Sequence, residues 1–341
     1  MSNILDYTKF LSKEELFLKD LIFCPTKINS FDVDKINFER LVKIASSNLL
    51  LPLLYLKLEE KKFLNKIPAE LKIYLHEIYQ LNKHRNEELK IEVFEISSIL
   101  KKNDINHVFI KGSAYIFSEI YSCLGERMIG DIDILVNVKE SEKAANALQK
   151  VGYKNTTKYQ FFEKRHLTRK AHPKKTFAVE VHFDLFDKKK LINISDFLKN
   201  RIDKGGVSIP NYEHQILYNI YSNQINDLAQ IQLSYNYRSY YDTSRLMKKS
   251  SLDFQPKNNY FNTYFLIANH LRVFEFKFKN QKKYKLLSLK FKYLIKSKKI
   301  RLVNNCLVGM ILKIEFRAKQ INEILKNKKY RMYILRKLFN T

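Results

Sequence analysis

Two aspartates, Asp131 and Asp133, stand two residues apart inside a largely apolar run from Ile129 to Val138. On a β-strand, side chains two apart leave the same face, so both carboxylates project together from a segment whose other residues call for burial. Like charges in a buried setting repel, and they are costly unless a cation or a hydrogen-bonding partner compensates them. The chain must therefore fold so that one face of this strand meets a core and the other meets a site that tolerates two negative charges. Hard carboxylate oxygens suit Mg²⁺ or Mn²⁺.

Three further features fall into line with this pair. Nineteen residues before Asp131, Lys111-Gly112-Ser113 follows the apolar run Asn106–Ile110, a strand candidate, and opens a segment with helical spacing at Phe117, Ile120, Tyr121 and Leu124. The backbone N–H groups at such a helix start can hold a phosphate. Arg127 lies between the two motifs, placed to neutralise the carboxylates or to contact a triphosphate. Downstream, Val179-Glu180-Val181-His182-Phe183-Asp184 alternates, so Glu180, His182 and Asp184 share one strand face. If that strand neighbours the Asp131 strand, Glu180 supplies a third carboxylate, for a metal or for taking a proton from an acceptor hydroxyl. His182 reads as a hydrogen-bonded supporting residue. A phosphate cradle beside metal-binding carboxylates is apparatus for phosphoryl or nucleotidyl transfer.

Periodicity organises the rest into an α+β fold. Residues 1–102 read as a helical N-terminal region, with Pro68 opening one helix and a long helix following from about Tyr79 to Lys101. Residues 103–205 read as a core with one mixed sheet. Ser141 is placed to cap a helix that ends before Gly152, Gly125 to stop the preceding helix, and Tyr159–Phe162 to add a strand. Gly205-Gly206 and Pro210 mark a loop or boundary. Residues 206–341 read as a helical C-terminal region, strongly basic after 270. Arg238 and Asp242, four apart, share a helix face and suggest a salt bridge; alternatively Arg238 contacts nucleotide phosphate.

Composition excludes several classes. With 45% hydrophobic residues the chain is globular, and no stretch reaches the ~20 apolar residues of a membrane span. Cys24, Cys123 and Cys306 lie far apart without metal-ligand spacing, and the N-terminus lacks a signal-peptide pattern, so a cytoplasmic protein with reduced thiols is expected. The net charge of +27 is uneven. Residues 1–100 carry 15 basic and 15 acidic side chains, whereas 271–341 carry 21 basic against 3 acidic. Lys282-Lys283, Lys298-Lys299 and Lys328-Lys329, interleaved with Phe274, Phe276, Phe278, Tyr284, Phe291 and Tyr293, suggest either solvated helix faces or contact with RNA.

Together, Phe109-Ile-Lys-Gly-Ser-Ala, Gly125-Glu-Arg127, Gly130-Asp-Ile-Asp-Ile-Leu-Val136, Gly152-Tyr153 and Val179-Glu-Val-His182 resemble the uncharacterised bacterial nucleotidyltransferase family of the DNA polymerase beta-type superfamily. The resemblance covers roughly residues 10–250, including Pro210 with its following helix and Arg238…Asp242. It implies Lys111, Gly112 and Ser113 at nucleotide phosphate, Asp131 and Asp133 at Mg²⁺, and Glu180 as the third carboxylate. The expected activity is Mg²⁺-dependent transfer of a nucleoside monophosphate from an NTP, ATP among them, to an unidentified hydroxyl. The alternatives are a toxin-type nucleotidyltransferase acting on tRNA or other RNA, which have a similar Gly-rich start, Arg and Asp-Ile-Asp, and a non-catalytic nucleotide-binding protein.

Overall fold

The computed structural model describes residues 6–24, 28, 31–157, 165–186, 191–250, 258–276 and 284–339. The expected strand at Tyr159–Phe162, Phe278, Lys282-Lys283 and Lys188–Lys190 lie outside the described residues. The architecture is α+β and 66% helical, with a mixed five-stranded sheet and a second, two-stranded one.

Four helices build the N-terminal region: α1 (Lys13–Phe23), α2 (Phe38–Ser47), α3 (Leu51–Glu60) and α4 (Ala69–Lys102). Ser12 and Asn37 cap the first two, accepting from Glu15 N at 3.2 Å and Arg40 N at 2.9 Å, which satisfies backbone donors that the first helical turn leaves open. The two helices expected after Pro68 are one. Its 34 residues extend ~51 Å at 1.5 Å per residue.

The core sheet takes β1 (His107–Ile110), β2 (Asp131–Val136), β3 (Lys154–Asn155), β4 (Lys170–Ala171) and β5 (Ala178–His182) in the order β1-β2-β5-β4-β3. β2 is antiparallel to β1 and parallel to β5. The register sets Asp133 between Ile110 and Glu180. Because β1 runs straight into α5 (Lys111–Phe117), that pairing carries the helix start to the carboxylate strand. On the other strand face, Ile132 and Ile134 are fully buried. Helix α6 (Ser141–Lys150) begins at Ser141 itself, with Glu140 in the cap position; the Ser141 hydroxyl bonds back to Val138 O at 2.8 Å.

After α7 (Ile194–Lys199), Gly205-Gly206 is the turn of a hairpin, β6 (Arg201–Lys204) with β7 (Val207–Pro210). Both glycines have positive φ, 61° and 93°, the conformation a tight hairpin turn requires. Ser97 Oγ and Lys101 Nζ of α4 each donate to Gly206 O at 2.8 Å. The C-terminal region comprises α8 (Tyr212–Tyr221), a π-helical turn (Ser222–Asn226), α9 (Ala229–Gln232), α10 (Tyr237–Lys249), α11 (Asn259–His270), α12 (Lys285–Lys296), α13 (Lys298–Lys326) and α14 (Lys328–Phe339). One contiguous apolar core joins the N-terminal helices, the sheet and the helices through α12.

Gly125 does not stop a helix, since α5 ends at Phe117. Its role is close approach to α4: a Cβ there would meet Tyr79 Cε2 at 2.4 Å and Lys83 Cβ at 3.1 Å. Gly125→Ala should therefore cost about 1–3 kcal/mol by overpacking, and Tyr79→Leu in the same chain should recover part of the loss. Urea unfolding of the two variants checks this.

Candidate active site

The face of β2 that turns from the core carries Asp131 and Asp133, and parallel pairing brings Glu180 directly beside Asp133 on that face. Asp133 is buried, with its side chain 2% exposed, whereas that of Asp131 is 32% exposed. Two cationic or hydrogen-bonding groups converge on one oxygen of Asp133. Lys111 Nζ lies 2.6 Å from Oδ1 and His182 Nε2 lies 2.8 Å from the same atom. Burial pushes the Asp133 carboxyl up, but Lys111 and His182 outweigh it and hold the group down at about 2. An ionised Asp133 requires His182 to donate from Nε2, consistent with its buried Nδ1, which has no hydrogen-bond partner among the described residues. The Lys111 ammonium is held above its ordinary range in turn: burial lowers it, and the charge of Asp133 reverses that.

Asp131 behaves oppositely. Burial, then the neighbouring Asp133, push its carboxyl up to about 6, against the opposing pull of Lys111. Arg169 lies 3.8 Å from Asp131 Oδ2. Glu180 is lowered by its hydrogen bond with His182, over the opposing effect of burial; the closest approach of the two is 3.5 Å.

A cleft of about 320 Å³ opens over this face, at the lower end of ligand-pocket sizes (~300–1,000 Å³). Its lining includes Lys111, Asp131, Asp133, Arg165, Asp227 and Arg238. Glu180 and Ser113 do not line it. Gly112 does, and its lack of a side chain has a packing reason: a Cβ would fall 2.9 Å from Ile129. Ser113 is fully buried, its hydroxyl without a partner among the described residues. Lys111 takes the left-handed conformation, φ 55°, a strain of ~1–2 kcal/mol for a residue with a side chain that its pairing with Asp133 offsets.

Arg127 pairs with Asp242 and not with the carboxylate pair. Arg127 Nε lies 3.1 Å from both carboxylate oxygens of Asp242, and Nη2 lies 3.1 Å from Oδ2. Tyr121 adds a hydroxyl donor to Asp242 at 2.7 Å. The expected Arg238–Asp242 salt bridge is thus replaced by a longer-range one, because Arg127 reaches Asp242 with a two-pronged fork from the loop before β2. Arg238 is left in the cleft wall with no hydrogen bond or ion pair among the described residues, its pKa lowered by burial and then by Arg127.

Sequence reasoning missed Arg165 and Asp227. Arg165 precedes β4 on a segment with no motif. Asp227 follows the π-helical turn, an element often found at functional sites, which only the run Ser222-Asn-Gln-Ile-Asn-Asp227 hints at.

The residues fit a divalent cation. Asp133 presents Oδ1 to Lys111 and His182, and its Oδ2 has no hydrogen bond among the described residues. Asp131 is a second hard oxygen donor whose ionisation a cation would favour. Asp133, Glu180 and His182 also place one donor atom each within 4.8 Å of the others. Ligation by His182 Nε2 would require breaking its bond to Asp133, so oxygen donors are the better set.

A mixed sheet that displays paired carboxylates next to a lysine at a helix start defines a nucleotidyltransferase-type core. The chain belongs to the family described as uncharacterised nucleotidyltransferase, whose model matches residues 34–257. Generic nucleotidyl transfer is the activity this membership supports. A search of curated proteins finds no match.

Two outcomes are expected. Arg127→Met strands a buried Asp242 and should cost about 3–5 kcal/mol in urea unfolding, and Arg127→Met with Asp242→Leu should cost less than the sum of the single changes. The second concerns pH without divalent metal. Below about pH 3.8 Asp131 is protonated folded and unfolded. Between there and about 6 only the unfolded state ionises it, so folding stability is lost as pH rises through this window. The loss is on the order of 1–3 kcal/mol. Melting curves of wild type and Asp131→Asn should diverge across that window, with the variant the more stable above it.

Proposed function

We propose that the protein transfers a nucleoside monophosphate from an NTP to an acceptor hydroxyl, with Mg²⁺ or Mn²⁺ held by Asp131 and Asp133. The observation that carries this reading is the cleft that sets these two carboxylates opposite basic side chains, one of which, Arg238, makes no hydrogen bond or ion pair among the described residues. Bound there, the cation would supply charge neutralisation at the reacting phosphate and orientation of its oxygens. Lys111 positions Asp133 through Oδ1 and adds positive charge at the cleft wall. Arg238 offers a planar guanidinium for non-bridging phosphate oxygens. Glu180, with its side chain 16% exposed, is the carboxylate assigned to take the acceptor proton, and His182 orients it together with Asp133. Gly112 contributes the backbone approach at the cleft, while Arg127 and Asp242 hold the wall behind it. Ser113, enclosed by α5, is assigned no contact with the nucleotide.

An RNA acceptor draws support from the basic C-terminal region, and less from its aromatic side chains. Phe291 is buried in the core and Phe274 and Phe276 pack against it, leaving Tyr293 exposed for stacking.

Incubation with each labelled NTP, a divalent cation and cell extract tests the reading. Wild type should label an acceptor fraction in a metal-dependent manner. Asp131→Asn with Asp133→Asn should abolish labelling, a loss beyond about 10³-fold, since phosphoryl-group chemistry depends on charge compensation. Arg238→Gln should raise KM for the NTP about tenfold or more with the fold intact. Metal-independent nucleotide binding without label transfer would instead identify a binding protein.

A further inference from the structure

Helix α13 is 29 residues long and buries one side chain, Val308. Leu302 and Phe316 are exposed on its far side, but seven of its other apolar residues share one face. Ile300, Val303, Leu307, Met310, Ile314, Ile321 and Leu325 follow one another at steps of three, four, three, four, seven and four. That spacing lays them along a single stripe, ~38 Å from first to last. Every one of them is exposed, Ile314 to 69% and Leu325 to 70%. An isolated exposed leucine needs no explanation, but an aliphatic stripe of this length, interrupted once at Arg317, does. The rest of the helix carries Lys298, Lys299, Arg301, Lys313, Arg317, Lys319 and Lys326 against Glu315 and Glu323.

Three occupants meet this stripe differently. A second copy would pack stripe on stripe and bring Lys299, Lys313 and Arg317 of each copy together. Arg317 also falls three residues after Ile314, where a self-packing seam needs an apolar side chain. A nucleic acid would satisfy the basic residues and leave the aliphatic ones in water, because isoleucine, leucine and valine give bases no aromatic face to stack on. An anionic lipid surface accommodates both: aliphatic side chains enter the acyl boundary, while lysine and arginine stems extend to the phosphates. No helix among the described residues is long and apolar enough to cross a membrane, so the contact lies in the plane of the surface.

We infer that α13 docks on an anionic membrane surface, with its aliphatic stripe as the inserted face and its flanking basic side chains on the lipid phosphates. Charge across residues 284–339 supports the sign of the partner, since 16 basic side chains face 2 acidic ones there. Each basic group near such a surface contributes about 1 kcal/mol, a term that salt screens.

The full chain is tested by co-sedimentation with phosphatidylcholine vesicles, with and without phosphatidylglycerol, at two salt concentrations. Wild type should bind the anionic vesicles and not the neutral ones. Leu307→Asn with Ile314→Asn removes apolar groups already in water, so the fold is spared. It should weaken binding by about tenfold or more. Lys299→Gln with Lys313→Gln should weaken it at low salt and flatten its salt dependence. NTP labelling by the stripe variant stays at the wild-type level, which separates this test from that of the cleft. Three results would overturn the inference: absence of vesicle binding by wild type; binding that the stripe variant leaves unchanged, which marks simple charge adhesion; or a wild-type dimer that the stripe variant turns into monomer, which assigns the stripe to a second copy.

Discussion

Three separate parts of the chain need Arg127 in one place. Its guanidinium grips Asp242 on α10, and its backbone carbonyl accepts from Asn82 and Asn86 of α4 at 3.2 and 2.8 Å. The same two asparagines also hold the carbonyls of Gly125 and Leu124. Asn82 and Asn86 are four apart on a helix, so both amides reach the same loop. Four residues after Arg127 the chain becomes β2. An ion pair this buried contributes little net stability by itself. Its value lies in the penalty for any arrangement that separates the partners, which fixes where the carboxylate strand begins relative to both helical regions.

The electrostatics of the cleft follow from how unevenly its cations are shared. Asp133 receives Lys111 and His182 on a single oxygen and is ionised under all ordinary conditions. Asp131, two residues away on the same face, is approached by Arg169 at 3.8 Å, and burial and the charge of Asp133 push its carboxyl up to about 6. Two chemically identical side chains are thereby set apart by environment, one with a fixed charge and one whose charge responds to what enters the cleft. Across the cleft, Arg238 and Asp227 both suffer from burial, which lowers the guanidinium and raises the carboxyl, although each partly offsets the other. The walls are thus arranged for a charged guest more than for water.

Much of this was legible in the chain. Period-two spacing placed Asp131 with Asp133 and Glu180 with His182 on common strand faces, because side-chain direction in a strand is a local property. The helical character of both ends was equally local. Partners were not: the guanidinium of Arg127 passed over any carboxylate nearby in sequence for one 115 residues away. Proximity in sequence had favoured Arg238 for Asp242, although both line the cleft without bonding. Gly125 misled for a related reason. Gly112 and Gly125 are small because Ile129 and Tyr79 press on them, and a contact across the fold leaves no mark beside the residue that makes room for it. Gly205-Gly206 was a matter of backbone conformation, and there the reading of a loop missed the two short strands it joins.

Helix α4 serves two structures at once. Its first half packs in the N-terminal bundle with α3, and its length carries it past the loop at 124–127 to the hairpin at Gly206. A shared beam of this kind makes the two regions inseparable in inheritance as well as in space. Recombination that brought in a different N-terminal bundle would have to supply a helix with asparagines at the same two positions and a serine eleven residues beyond the second, Ser97. Such a region can diverge by accumulating substitutions but cannot be exchanged whole, so the helical N-terminus and the carboxylate-bearing sheet are expected to travel together as one heritable unit.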